Sequence, residues 1–143
     1  MSRYVLFKES LLPSYTVCSS PLGMKDGTIQ DSQITASSEF NSDTHGKNNA
    51  RLDRPAGDDT TGAWSSGIDD LNQWIGVEFV TYKHVSGIIL QGRSDYARWV
   101  TKYKVEYSGD GAAWRYIQGE GRVNDMVSGE DAIFLSWKIL ILL

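Results

Sequence analysis

The chain has 143 residues and a formal net charge of −4, with five Trp, seven Tyr and 14 Gly. That length suits one domain with a single core, and the composition carries no disorder signature. The acidic balance, with no long basic block, excludes nucleic acid as a natural partner.

In chain order, residues 1–17 read as a leader of uncertain order. Their apolar stretch, Tyr4 to Phe7, is short and is interrupted by Lys8 and Glu9, so it makes no convincing signal peptide. Cys18 is the single cysteine. It suits either a cytosolic thiol or an unpaired cysteine of a secreted domain, and the residues alone favour the cytosol. From Cys18 to about Gln118 the pattern is short strands joined by polar loops, expected of an all-β sandwich or jelly roll.

Residues 33–38 make a strand resting on Ile34 and Ala36. Residues 73–80 put Ile75, Val77 and Phe79 on one side and Glu78 on the other. Tyr82-Lys83 reads as the short connection to a central strand over residues 84–91, apolar on both sides around Ile88, Ile89 and Leu90. The clearest strand covers residues 99–107. There Trp99, Thr101, Tyr103, Val105 and Tyr107 alternate with Lys102, Lys104 and Glu106, the period of a sheet with one wet face. Ser108-Gly109-Asp110-Gly111 is a turn signal, and residues 113–118, carrying Trp114 and Tyr116, complete a hairpin. The tail from Ile133 to Leu142 is apolar apart from Ser136 and Lys138, and about ten residues cannot span a bilayer as a helix.

Three polar loops separate the strands: residues 39–49, 53–62 and 92–98. Loops on a rigid sandwich are where recognition residues collect, and Tyr, Trp and Arg are the usual interface anchors. The first loop offers Phe40, Asn41, Asp43, His45 and Asn48. The third offers Arg93, Ser94, Asp95, Tyr96 and Arg98, with Trp99 where the chain leaves it. A loop of mixed charge with an aromatic is either merely solvated or a recognition surface, and both readings stand. Trp64, Trp74 and Trp114 lie at strand starts or within strand patterns and are expected to pack the interior. Arg51 is expected to brace the loops by ion pairing rather than touch ligand.

Metal chemistry has little to support it. Asp58-Asp59 and Asp69-Asp70 could offer oxygens to calcium, but EF-hand spacing is absent. His45 and His84 lie far apart without a nearby Cys, so zinc is disfavoured. No cofactor is expected. The sequence holds no Gly-x-Ser-x-Gly elbow, P-loop or His-Glu-x-x-His, so no enzyme is expected either.

Several strings, in order, resemble the discoidin family, also known as coagulation factor V and VIII C-type domains. They are Cys18-Ser19-Ser20-Pro21-Leu22-Gly23-Met24, Gln33-Ile34-Thr35-Ala36-Ser37-Ser38, Ala50-Arg51-Leu52, Gly62-Ala63-Trp64 and Asn72-Gln73-Trp74-Ile75. Further on come Gln91-Gly92-Arg93-Ser94-Asp95, Trp99-Val100-Thr101-Lys102-Tyr103-Lys104-Val105, Tyr107-Ser108 and Gly111-Ala112-Ala113-Trp114. The resemblance implies a jelly-roll β-sandwich of the galactose-binding-domain-like kind. Its loops would hold an extracellular protein, a peptide, collagen or a glycan in an adhesion role outside the cell or at its surface. Members also bind phospholipid headgroups, so a peripheral binder of anionic membranes is the alternative. With Phe40 in the first loop and Tyr96 between Arg93 and Arg98 in the third, membrane attraction is expected to be marginal. Alignment with peptide-binding relatives adds Asp69 and Asp70 to the loop end, where an aspartate could pair with a ligand guanidinium.

The family's ending, a string like Arg-Tyr-Ile-Arg-Ile and a closing Leu-Glu-Leu-Tyr-Gly-Cys, has no counterpart after Arg122-Val123. The resemblance therefore implies an incomplete domain over residues 18–143. Its last strands would be missing or replaced, and Cys18 would lack its usual partner. A truncated or alternatively spliced product, even one without independent function, is the corresponding expectation.

Overall fold

The structure, a computed structural model, describes residues 20–85, 88–116, 121–122 and 133–142. Cys18, the leader, and the stretch 117–120 at the end of the expected hairpin lie outside the described residues. Six strands form one antiparallel sheet: β1 (Ile34–Ala36), β2 (Gln73–His84), β3 (Lys102–Ser108), β4 (Arg115–Tyr116), β5 (Gly121–Arg122) and β6 (Ile133–Leu142). The order is β1-β2-β6-β3-β4, with β5 also paired to β3. Among the described residues the only helical pieces are two three-residue 3-10 turns, Asp31–Gln33 and Lys47–Asn49. No helix there is long and apolar enough to cross a membrane.

The apolar tail becomes β6 and lies between β2 and β3. Ile139 stands opposite Ile75 on one side and Val105 on the other, and Trp137 stands opposite Val77 and Tyr107. Backbone groups on the facing edges of β2 and β3 thus find a partner in the tail. A register shift between Glu78 and Lys83 interrupts the β2–β6 ladder.

Alternation decides which faces are buried. Val77 and Phe79 of β2, and Tyr103 and Val105 of β3, are buried, while Glu78 and Val80 point to solvent. Ile34, fully buried, joins them with Met24, Ile29, Val85 and Ile88. Leu22, Trp64, Leu90 and Val100 pack around this cluster from outside the ladders. The layer facing the sheet is therefore built largely from extended and looped chain.

Three strand expectations need correction. Tyr82-Lys83 is not a connection but continues β2. That dipeptide lacks the Gly, Asn or Asp that a tight turn requires, and Tyr suits a strand. The described part of residues 84–91 forms no ladder beyond His84; Val85 and Ile88 are buried by packing alone, which a short apolar run does not distinguish from a strand. The clear strand starts at Lys102, so Trp99 and Thr101 lie outside it and are exposed.

The expected hairpin is present but short, pairing Glu106 with Tyr116 and Tyr107 with Arg115. Its turn is held by Ser108 and Asp110. Ser108 Oγ accepts from Gly111 N at 2.9 Å and donates to Asp110 Oδ1 at 2.9 Å. Asp110 Oδ1 also accepts from the backbone N–H groups of Ala112 and Ala113, at 2.8 and 2.9 Å. Gly111 sits at φ 73, where a side chain would be strained. The bonds from Ala113, Ala112 and Ser108 hold the Asp110 carboxyl below its ordinary range. Its stabilising contribution is complete above the ordinary carboxylate pKa and is lost as pH falls through the lowered folded value. Ser108→Ala is expected to lower stability by about 1 kcal/mol, read from urea unfolding, because it removes a buried hydroxyl that bonds Gly111 N and Asp110 Oδ1.

Candidate functional site

The first loop is folded by its own side chains. Asn41 Oδ1 accepts from the backbone N–H of Asp43 and Thr44, at 2.9 and 3.1 Å, and Asn41 O accepts from His45 N at 2.8 Å. The turn is tight: a Cβ on Gly46 would lie 2.2 Å from Ser42 O, which is why glycine stands there. Glu39 Oε1 closes the base by accepting from Lys47 N at 2.6 Å.

Residues 60–67 fix this loop from the side. Thr44 O accepts from Thr61 N at 3.0 Å, and the buried Asn49 bridges Thr44 O and Thr60 Oγ1. Phe40 N donates to Ser65 O, and Ser65 N to His45 O, at 2.9 and 3.1 Å. Phe40 is left 69 % exposed on a well-anchored backbone.

The third loop closes on itself through Arg93 N to Arg98 O at 3.2 Å and Arg98 N to Tyr96 O at 2.7 Å. Arg93 and Asp95 form a two-pronged pair, Nε to Oδ1 at 2.9 Å and Nη2 to Oδ2 at 2.8 Å. Hydrogen bonding from Arg93 holds Asp95 below the usual carboxylate range, and the same bond raises Arg93. Both Arg93 and Arg98 lie over the Tyr96 ring, 5.8 and 5.6 Å from its centroid. Tyr96 and Trp99 are exposed.

The two loops meet at one contact. Arg93 Nη1 is 3.2 Å from His45 Nε2, while His45 Nδ1 is 2.7 Å from Thr44 Oγ1. The Phe40 and His45 rings meet edge to face at 5.2 Å. Burial, reinforced by the Arg93 charge and opposed by Asp95, pushes His45 below the ordinary imidazole value.

Phe40, Asn41, His45, Arg93, Asp95, Tyr96, Arg98 and Trp99 therefore belong to two loops joined into one end of the fold. Asp69 and Asp70 are placed differently. Asp70 Oδ1 accepts from Gln73 Nε2 at 2.7 Å and Asn72 N at 2.8 Å, which hold the carboxyl below its usual range. Gln73 in turn takes the hydroxyls of Ser37 and Ser38. Asp70 thus organises the start of β2, and Asp69 is exposed without a described contact to the third loop. Among the described residues no three His, Cys, Asp or Glu side chains cluster as a metal site.

Two exposed apolar residues escaped the sequence reading: Ile68 at 55 % and Leu71 at 56 %. Gly67 N donates to Ser38 Oγ, and Gly67 lies against Glu39 O, so Ile68 leaves the segment running beside Phe40. Isolated apolar residues flanking an acidic pair were the available signal. Trp64, by contrast, packs on the core with Nε1 donating to Ser38 O at 3.0 Å, as expected. Arg51 braces the segment 24–31 rather than the three polar loops: its guanidinium reaches Met24 O and Ile29 O and pairs with Asp31.

Residues 33–134 match the F5/8 type C domain. The chain belongs to this family. Over 117 residues the F5/8 type C domain is 44 % identical to human EGF-like repeat and discoidin I-like domain-containing protein 3, covering 77 % of this chain and 24 % of that protein. It is 39 % identical over 111 residues to lactadherin from Rattus norvegicus, covering 73 % and 25 %. The chain thus spans about a quarter of the length of these relatives. Among solved structures it is similar to wild-type discoidin II from Dictyostelium discoideum. The TM-score there is 0.68 at 27 % identity, covering 76 % of this chain and 48 % of that one. The fold is the all-β discoidin jelly roll, and the F5/8 type C domain is a ligand-binding module rather than an enzyme.

Proposed function

We propose that this F5/8 type C domain is an extracellular adhesion module that holds a peptide, collagen or glycan across its joined first and third loops. The observation that carries this reading is the His45–Arg93 contact at 3.2 Å, which makes one surface of two loops separated by more than forty residues. Around it stand the exposed rings of Phe40, Tyr96 and Trp99 and the guanidinium of Arg98. Rings on an anchored backbone supply contact area at low entropic cost, and Arg supplies directional hydrogen bonds.

The double variant Arg93→Ala/Trp99→Ala is expected to weaken the wild-type interaction at least about tenfold, measured on immobilised fibrillar collagen and on a glycan array. Unchanged affinity for every probe that wild type binds would remove the loops from the site. A second reading, a peripheral binder of anionic membranes, is favoured by the exposure of Ile68 and Leu71 as well as Phe40. Three apolar side chains give more insertion area than Phe40 alone. Sedimentation with phosphatidylcholine vesicles, with and without phosphatidylserine, separates the two. Salt-sensitive binding that needs phosphatidylserine supports the membrane reading, and its absence retires it.

A further inference from the structure

The two ring nitrogens of His45 face Thr44 and Arg93, and those partners dictate its protonation. A guanidinium carries five donors, has no acceptor and keeps its charge. At 3.2 Å the Arg93 Nη1 hydrogen must point at Nε2, so Nε2 must present its lone pair. The imidazole is then neutral with its proton on Nδ1, donating to Thr44 Oγ1 at 2.7 Å. A proton on Nε2 would set two donors against each other and place two positive charges side by side.

We propose that the His45–Arg93 contact is an acid-sensitive latch, joining the first and third loops at neutral pH and releasing them when His45 takes up a proton. This regulation rests on the reading of those loops as the binding surface. What the latch holds is specific. Arg93 is the hub of the third loop, forked to Asp95 and lying over Tyr96, and His45 carries the edge contact with Phe40. Opening it frees an aromatic on each side of the surface together with the cation between them.

The charged groups around His45 allow the sign to be worked out. From the third loop come Arg93, which opposes protonation, and Asp95, which favours it but has both oxygens committed to Arg93. Its own loop carries Glu39, whose oxygen serves Lys47 N, together with Asp43 and Lys47. The segment packed alongside, residues 60–67, holds no titratable side chain. Burial is the largest influence and acts with Arg93 to keep the latched imidazole below its ordinary pKa. An unlatched, hydrated His45 titrates near the ordinary value of about 6.5. The latched state therefore binds fewer protons, so acid favours opening. The closing preference is full above about pH 6.5 and fades as pH falls through the lowered value.

The test uses the full chain without ligand. Imidazole nitrogen NMR at about pH 7.5 should find the His45 proton on Nδ1. Amide exchange of residues 92–99, corrected for the intrinsic pH dependence, should step up as His45 protonates. His45→Gln offers Arg93 a carbonyl oxygen that cannot titrate, and its exchange profile should be flat. His84→Gln should keep the wild-type step. A neutral-pH proton on Nε2, loop exchange indifferent to the His45 titration, or a persistent step in His45→Gln would each overturn the latch. A parallel measurement on immobilised collagen separates the two ideas. If exchange shows the step while collagen binding ignores Arg93→Ala/Trp99→Ala, the latch stands and the collagen reading fails. If collagen binding needs those residues but exchange has no step, the latch alone fails.

Discussion

The full chain is expected to unfold cooperatively on heating, and deleting residues 133–142 is expected to abolish that cooperativity and to yield a species that binds hydrophobic dyes. β6 is not a marginal strap: it stands between β2 and β3, pairing with Gln73 to Glu78 on one side and Lys102 to Ser108 on the other. Without it both strands expose an open edge, and the core cluster containing Val77 and Val105 loses a flank of its sheet. Ile139→Pro is a gentler form of the same test. Proline cannot donate to a ladder and is tolerated in a sheet essentially at edges, whereas Ile139 has Ile75 and Val105 as partners. A cost of about 3 kcal/mol or more is expected in urea unfolding. Undiminished cooperativity after the deletion would show that the remaining strands pair in another way.

The second large effect is expected at Arg51. Its side chain is only 12 % exposed, and three acceptors converge on its guanidinium: Met24 O at 3.1 Å, Ile29 O at 2.9 Å and the Asp31 carboxylate. Met24 and Ile29 are themselves buried. Arg51→Ala therefore strands two carbonyls where water has poor access, costing about 3 kcal/mol in urea unfolding. Arg51→Lys should recover only part of this, because one ammonium cannot reproduce the planar fork. Asp31→Ala should cost less than about 1 kcal/mol, since that carboxylate is 56 % exposed and its ion pair is screened. A loss at Asp31 equal to that at Arg51 would mean that the ion pair, not the carbonyls, carries the stabilisation.

The parts of the fold that could be read from the sequence were those specified locally. The ring-and-charge alternation around Tyr103 and Val105 identified β3, and Ser108-Gly109-Asp110-Gly111 identified its turn, because both patterns fit within a few residues. The position of β6 was not legible. An apolar decapeptide reads the same whether it lies at an edge or at the centre of a sheet, and its partners are some thirty to seventy residues away. Trp99 was misassigned for a related reason. It fits the alternation, but the chain enters the ladder only at Lys102, after the turn closed by Arg93 and Arg98.

The loop end was legible by residue type and not by pairing. Composition drew attention to His45, Arg93, Tyr96 and Trp99, yet nothing in one dimension places an imidazole nitrogen against a guanidinium 48 positions away. The engagement of Asp70 was readable, since an Asp three residues before a Gln at a strand start can bond it locally, as it does here.

The chain order of the sheet also bears on synthesis. The strand that joins the two halves is the last of the six to leave the ribosome, so β2 and β3 emerge with a gap between them that only later residues fill. Until then the nascent polypeptide offers two sticky margins to its neighbours, and closure requires contacts of high contact order, which form slowly. Productive maturation therefore waits until Ile133–Leu142 has emerged, and chaperone protection is most valuable before then.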